Sequence, residues 1–149
     1  MRSIVSLATA AGLAAAFVAG ASARNDGRAG CSNATLNGSY SLHATGDIIG
    51  IGPFAAVGVF NFDGNGHVSA SLVTRTNGTN GVSNVTGTYA VAPDCTAADT
   101  LSTATGVVST HSYAIFGRGR GFYILNTTVG APNVVIGEAR RQAGKAEDE

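Results

Sequence analysis

The chain has 149 residues, nine basic and nine acidic side chains, and only 12% charged residues in all. No long run of one sign is present, so neither nucleic acid nor an acidic membrane surface is favoured as a partner. The length suits one domain with a real core and is too short for two.

The chain opens with Met1-Arg2-Ser3, then an apolar run from Ile4 to Ala19, then the small-residue triplet Ala21-Ser22-Ala23. A basic start, a short alanine-rich apolar helix and an A-x-A site together predict a cleavable signal peptide over 1–23 rather than a stable membrane span. The working protein then begins near Arg24, secreted or periplasmic, with about 126 residues and a net charge near −1. Residues 24–35 read as a lead-in containing Cys31. The second cysteine, Cys95, is in the same mature part, and two cysteines in an oxidising compartment favour one disulfide. Closing a loop of roughly 65 residues gives about 4 kcal/mol in the chain-entropy model. Two free thiols are the alternative, as is a lipid anchor on Cys31 after Ala29-Gly30, against which Arg28 stands.

From residue 36 the helical period is almost absent. Short β-branched or aromatic runs recur between Gly, Asn, Asp and Pro, the mark of an all-β domain. Strands are predicted at Gly38–Ala44, Phe54–Phe62, His67–Thr76, Asn84–Val91, Thr100–Thr105, His111–Phe116, Arg120–Thr127 and Val134–Arg140. About eight evenly spaced strands suit consecutive antiparallel pairing, and closure over 36–141 into a single barrel removes the exposed edges. The mixed-sign end, 142–149, reads as a disordered tail.

Asp63-Gly64-Asn65-Gly66 is the clearest turn, with residues tolerant of positive φ between two strand-like runs. It faintly echoes a calcium loop but has Val68 where the glycine is required and no closing carboxylate. Gly117-Arg118-Gly119-Arg120-Gly121 also reads as a turn, since no helix follows whose N-terminus could bind phosphate. Leu36-Asn-Gly-Ser-Tyr-Ser-Leu42 is echoed by Val85-Thr-Gly-Thr-Tyr-Ala-Val91, a pattern that suits the start of a strand after a tight bend. Asn33, Asn37, Asn77, Asn84 and Asn126 head N-x-S/T triplets, expected by chance in an Asn- and Thr-rich chain, and are assigned no role.

The pattern formed by Leu36-Asn-Gly-Ser-Tyr40, Ala56-Val-Gly58, Phe62-Asp-Gly-Asn-Gly66, Gly87-Thr-Tyr-Ala-Val-Ala-Pro-Asp-Cys95, Asn126-Thr and Gly137 resembles a group of uncharacterised secreted bacterial proteins. That group looks like the small eight-stranded barrels of the calycin and allene-oxide-cyclase type. The resemblance implies an interior that either holds a ligand or is packed. The Gly-x-Trp signature of true lipocalins is missing, because the chain has no tryptophan.

No cofactor is implied by any motif. His43, His67 and His111 fall on separate strands without metal-ligand spacing, so no metal site is expected. Glu138 and Arg140 are the candidates for acid–base work, provided their face of the last strand points inward with Val134 and Ile136. The alternative turns Val135, Gly137 and Ala139 inward and leaves the two charges solvated, and it is the reading favoured here. Tyr40, Tyr89, Tyr113 and Tyr123 are the candidates for lining a pocket, each with an apolar ring and a hydrogen-bonding tip.

The reading that asks least of these residues is a non-catalytic, extracytoplasmic β-barrel that binds a small apolar ligand or mediates contacts. The alternatives are a cyclase or isomerase that confines an apolar substrate, as the allene-oxide-cyclase resemblance implies, and a structural surface or matrix protein. Oligomeric state is left open.

Overall fold

In the computed structural model the described residues are 30–143. The expected signal segment 1–23, residues 24–29 of the lead-in and residues 144–149 of the tail lie outside them. Among the described residues a 3-10 turn at Asn33–Thr35 precedes eight strands: β1 (Asn37–Ile48), β2 (Gly52–Asp63), β3 (His67–Thr76), β4 (Thr79–Val91), β5 (Thr96–Thr103), β6 (Val108–Phe116), β7 (Gly121–Asn126) and β8 (Asn133–Arg141). Each pairs antiparallel with the next, and β8 returns to β1, with Tyr40 opposite Arg141 and Ile48 opposite Asn133. The sheet closes into a barrel, so every strand has a partner on both sides.

Side chains alternate across this wall as the pleat requires. On β1, Tyr40, Leu42 and Ala44 point in while Ser41, His43 and Thr45 point out. The expected limits of β3 hold, whereas β1 runs on to Ile48, β4 starts at Thr79, and β5 starts at Thr96 instead of Thr100. After Thr96 the start of β5 is Ala97-Ala98-Asp99, poor strand formers by composition. Pairing on both sides and the fit of small Ala97 into the core override that preference.

The two ends of the barrel differ. At one end lie the N-terminal turn and the β2–β3, β4–β5 and β6–β7 loops, over a cluster of inward aromatics. Phe62 meets Tyr89 edge-on at 4.9 Å and Tyr40 at 5.5 Å, and Tyr113 stacks on Phe122 at 4.7 Å. Such pairs add about 0.5–1.5 kcal/mol each beyond the area they bury. The tip of the Tyr89 ring ties the N-terminal turn to the barrel, and that of Tyr40 ties β1 to the β6–β7 loop. The Tyr89 hydroxyl lies 2.8 Å from the Leu36 carbonyl oxygen and 3.0 Å from that of Asn33, and the Tyr40 hydroxyl donates to the Gly119 carbonyl at 2.7 Å. Arg141 donates to the Tyr40 oxygen at 2.9 Å, and the Val91 N–H donates to Asn33 Oδ1 at 2.8 Å.

A disulfide fastens the same end. Cys31, just before the turn, is bonded to Cys95 in the β4–β5 loop across 64 residues of sequence. The β2–β3 turn is built on Asp63, whose Oδ1 accepts the N–H groups of Asn65 at 2.7 Å and His67 at 3.0 Å. Those bonds, His67 first, hold the Asp63 carboxyl at about 2, below its ordinary 3.8. In the β6–β7 loop Gly119 has φ +83° and lies so close to the N-terminal turn that a Cβ there would sit 2.1 Å from the Thr35 carbonyl oxygen.

Two outcomes follow from this closed end. Reduction of Cys31–Cys95 is expected to lower unfolding free energy by about 4 kcal/mol, read as the shift in guanidinium midpoint between oxidised and reduced protein. Gly119→Ala combines a positive φ with a backbone clash and is expected to cost at least about 2 kcal/mol, read in the same titration.

Candidate functional site

The inward residues toward the other end are smaller. Ala44, Ala56, Gly137 and Ser83 stand where the closed end carries rings, and a cavity of about 210 Å³ remains there inside the barrel. One side of it is aliphatic and aromatic, formed by Leu42, Ile48, Phe54, Leu72 and Val85 among others. The other side is a polar strip of Ser109, His111, Asn126 and Asn133 from β6, β7 and β8. Phe60 forms the boundary with the aromatic cluster, since it lines the cavity and stacks on Phe62 at 5.9 Å.

The loops at this end join β1 to β2, β3 to β4, β5 to β6 and β7 to β8, and none contains a charged residue. Ile49, Ile51, Val107 and Val129 are exposed on them. The rim loops are therefore uncharged and largely aliphatic, with Asp47 of β1 and Arg75 of β3 on outward positions next to them. Asn133, on β8 beside this rim, has its Oδ1 buried with no hydrogen-bond partner. A buried acceptor left unpaired costs free energy, and a donor placed opposite it would remove that cost.

The polar wall has an internal order. Asp99 on β5, His111 on β6 and Asn126 on β7 are opposed in register and share the inner face. The Thr128 N–H donates to Asn126 Oδ1 at 3.0 Å, turning the Asn126 amide nitrogen toward His111 Nε2, 3.3 Å away. His111 Nε2 then accepts, and Nδ1 carries the hydrogen that Asp99 Oδ1 accepts at 2.8 Å. The second Asp99 oxygen accepts the Tyr113 hydroxyl.

The Asp99 carboxylate is thus wholly buried but met on both oxygens, the condition under which a protein can hold a charge inside. Burial, followed by the neighbouring carboxylate, pushes the Tyr113 hydroxyl well above its ordinary value. The tyrosine is therefore a fixed donor, and the imidazole is held by its Nδ1 with its other nitrogen directed toward the polar wall.

The residues expected from sequence to carry chemistry are distributed differently. Glu138 and Arg140 lie on the outer surface, paired to each other at 2.6 Å, because Val135, Gly137 and Ala139 occupy the inner positions of β8. Tyr40, Tyr89 and Tyr113 point inward, but their rings belong to the closed end, and none lines the cavity. Tyr123 points outward and packs on Phe116 at 5.0 Å, since Phe122 and Ile124 take the inner positions of β7. His43 is exposed, and His67 binds Asp63 on the surface. Among the described residues no three His, Cys, Asp or Glu side chains are grouped to hold a metal, and no helix is long and apolar enough to cross a membrane.

Asp99 escaped the sequence reading because the strand was expected to begin one residue after it. The usable signal was the alternation Ala97, Asp99, Leu101, which places the acid on an otherwise apolar face.

No protein-family model and no curated protein matches this sequence. Among solved structures it is similar to a redesigned β-barrel, mFAP1, bound to DFHBI, at 14% identity and a TM-score of 0.56 over 73% of this chain and 97% of that one. A second redesigned barrel, b11L5F_LGL, matches at 13% identity and 0.56 over 74% and 95%, respectively. A fluorescence-activating β-barrel designed de novo matches at 10% and 0.53 over 72% and 94%. These likenesses are of fold: a closed eight-stranded antiparallel barrel.

Tyr113→Phe, which leaves one Asp99 oxygen without its donor, is expected to cost about 1–3 kcal/mol at neutral pH. Because the Tyr113 proton is held more tightly in the folded state, that stability is complete below about pH 10 and is lost as pH rises past it. Chemical denaturation from pH 8 to 11 should therefore show a shallower alkaline decline in Tyr113→Phe than in the unaltered protein.

Proposed function

We propose that the protein holds one small, predominantly apolar molecule in its barrel, and that it does so outside the cytoplasm after removal of residues 1–23. The observation that carries this reading is the two-sided cavity, aliphatic on one wall and hydrogen-bonding on the other, with Asn133 Oδ1 buried and unpaired. Eight strands enclose enough room for one small ligand. A cavity near 150 Å³ takes up benzene in another protein, so 210 Å³ suits a single ring or short branched chain with a few substituents. Its polar end would lie against Ser109, Asn126 and Asn133, and a hydroxyl or N–H on it would satisfy the Asn133 oxygen.

Three further observations support the reading. The rim loops present exposed aliphatic side chains and no charge to such a molecule, Asp47 and Arg75 beside them pointing outward. A redesigned barrel of like fold is described with a small molecule, DFHBI, bound. The disulfide is compatible with an extracytoplasmic location.

Native mass spectrometry of the mature protein, purified from the cells that make it, tests the proposal. An adduct of a few hundred daltons or less is expected under native conditions, lost on denaturation and lost in a folded Ala56→Phe variant, whose ring fills the cavity. A native mass equal to the denatured mass, or an adduct that survives in Ala56→Phe, overturns the reading.

A further inference from the structure

We propose that His111 transfers protons on the molecule the cavity holds, so that the barrel is an isomerase for small, mostly apolar carbonyl compounds with an unsaturated bond beside the acidic carbon. This rests on the ligand-holding reading above and adds a reaction to it. Three features of the polar wall support it together.

The imidazole is presented in one orientation. Asp99 takes the Nδ1 hydrogen at 2.8 Å, and that carboxylate is itself fixed by Tyr113, so Nε2 is the basic nitrogen. The same carboxylate stabilises the imidazolium that forms when Nε2 gains a proton, which makes Asp99 and Tyr113 positioning residues. A general base also needs a donor for the charge that appears when a C–H bond breaks. Asn126 supplies one, because its amide is fixed by Thr128 with the nitrogen only 3.3 Å from Nε2. A carbonyl oxygen and its neighbouring carbon are themselves close together, so one substrate can meet the amide hydrogen and the base at once. Finally, base and donor lie in the wall of a mainly apolar cavity where little water competes. Among the described residues, His111 is the one titratable side chain on that cavity surface. Asp99 from β5 and Tyr113 from β6 face it from behind, and β7 contributes the neutral Asn126.

The step is balanced without a cofactor. The substrate carbonyl oxygen first takes over the Asn126 amide hydrogen that Nε2 accepts, which frees the Nε2 lone pair, and Nε2 then removes a proton from the carbon between the carbonyl and the double bond. The C–H pair moves to make a dienolate whose oxygen accepts from Asn126. The proton then returns from Nε2 to the far carbon, and the double bond ends conjugated with the carbonyl. Nothing is oxidised or reduced, and His111 regains its starting state.

The probe is 3-cyclohexen-1-one, whose conversion to 2-cyclohexen-1-one is followed by ultraviolet absorbance and, in D2O, by NMR of deuterium uptake. The protein is expected to exceed the same concentration of free imidazole by about 10²-fold or more, the usual scale of general-base catalysis. His111→Gln should return the rate to the imidazole level. Asn126→Ala should lower kcat at least tenfold with little change in KM. Asp99→Asn should lower kcat, leave KM nearly unchanged and move the pH profile of kcat toward acid, a displacement that a merely structural loss would not produce. If Asp99→Asn does not fold, the first two variants, at the cavity wall, carry the comparison. A rate no greater than imidazole, or one unchanged in His111→Gln, overturns the proposal. Saturable broadening of the probe's NMR lines that is absent in Ala56→Phe reports binding separately. Binding without turnover defeats the isomerase alone, whereas neither binding nor a native adduct defeats the ligand reading with it.

Discussion

The structure depends on how side-chain volume is distributed along the barrel axis. An eight-stranded barrel has an interior that its own side chains can fill, and at one end they do. Tyr40, Phe60, Phe62, Tyr89, Tyr113 and Phe122 interlock there, with ring centroids 4.7 to 6.4 Å apart. Along the same strands the inward positions then shrink to Ala44, Ala56, Ser83 and Gly137, and the space these leave is the cavity. The N-terminal turn, the disulfide and the Tyr hydroxyl bonds all act on the filled end. They make it the floor of the barrel.

A second constraint is the carboxylate inside this barrel. A buried Asp is costly unless both oxygens are met, and replacing such a group with an apolar residue of similar size is often neutral or stabilising. Stability alone therefore does not account for Asp99. Its partners are graded in exposure: Tyr113 is buried in the aromatic floor, while His111 lies on the cavity wall. The carboxylate thus couples the rigid end to the accessible one. Its effect on the imidazole is to fix which nitrogen holds hydrogen and which faces Asn126. A network with donors and acceptors assigned throughout has one arrangement rather than several.

Most of the architecture was legible in the residues, for local reasons. The Asp63-Gly-Asn-Gly66 turn declares itself through side chains that bond their own backbone or tolerate positive φ, and the strands on either side alternate plainly. Eight short runs without a helical period left few alternatives to a closed antiparallel sheet. The facing of β8 was harder to read, since Val134, Val135 and Ile136 are all aliphatic and either face could point in. Gly137 and Ala139 decide it: a Cβ at Gly137 would sit 2.5 Å from the His43 carbonyl oxygen of β1, and Ala139, opposite Phe122 in register, is fully buried. The site itself was not legible. Its members are separated by 12 and 15 residues in sequence and meet only through strand register, which no local pattern encodes. Asp99 was hidden by its own low strand propensity, and His111 was indistinguishable from His43 and His67 until the barrel closed around one of them and left the others outside.

Charge and backbone conformation divide along the same axis. Asp63, His67, Asp94, Arg118, Arg120 and Arg141 gather at the closed end, where Asp63 and Asp94 bond turn backbone and Arg141 bonds Tyr40. The rim loops have none, only Asp47 and Arg75 lying outward beside them, and these loops turn on glycines such as Gly50 and Gly106, at φ +83° and +82°, with open space where a side chain would be. At Gly119, in contrast, the backbone is pressed against the N-terminal turn. Tight packing and cross-linking thus reside at the filled end, and uncharged, loosely surrounded turns at the other. An aliphatic rim around a mainly apolar cavity imposes no desolvation penalty on an apolar visitor. Of the polar groups on the cavity wall, Asn126 is held by Thr128, whereas Asn133 Oδ1 has no partner. Selection between visitors then falls to their polar end, because the apolar wall discriminates weakly between shapes of similar size, while an unmatched buried hydrogen-bonding group is penalised strongly.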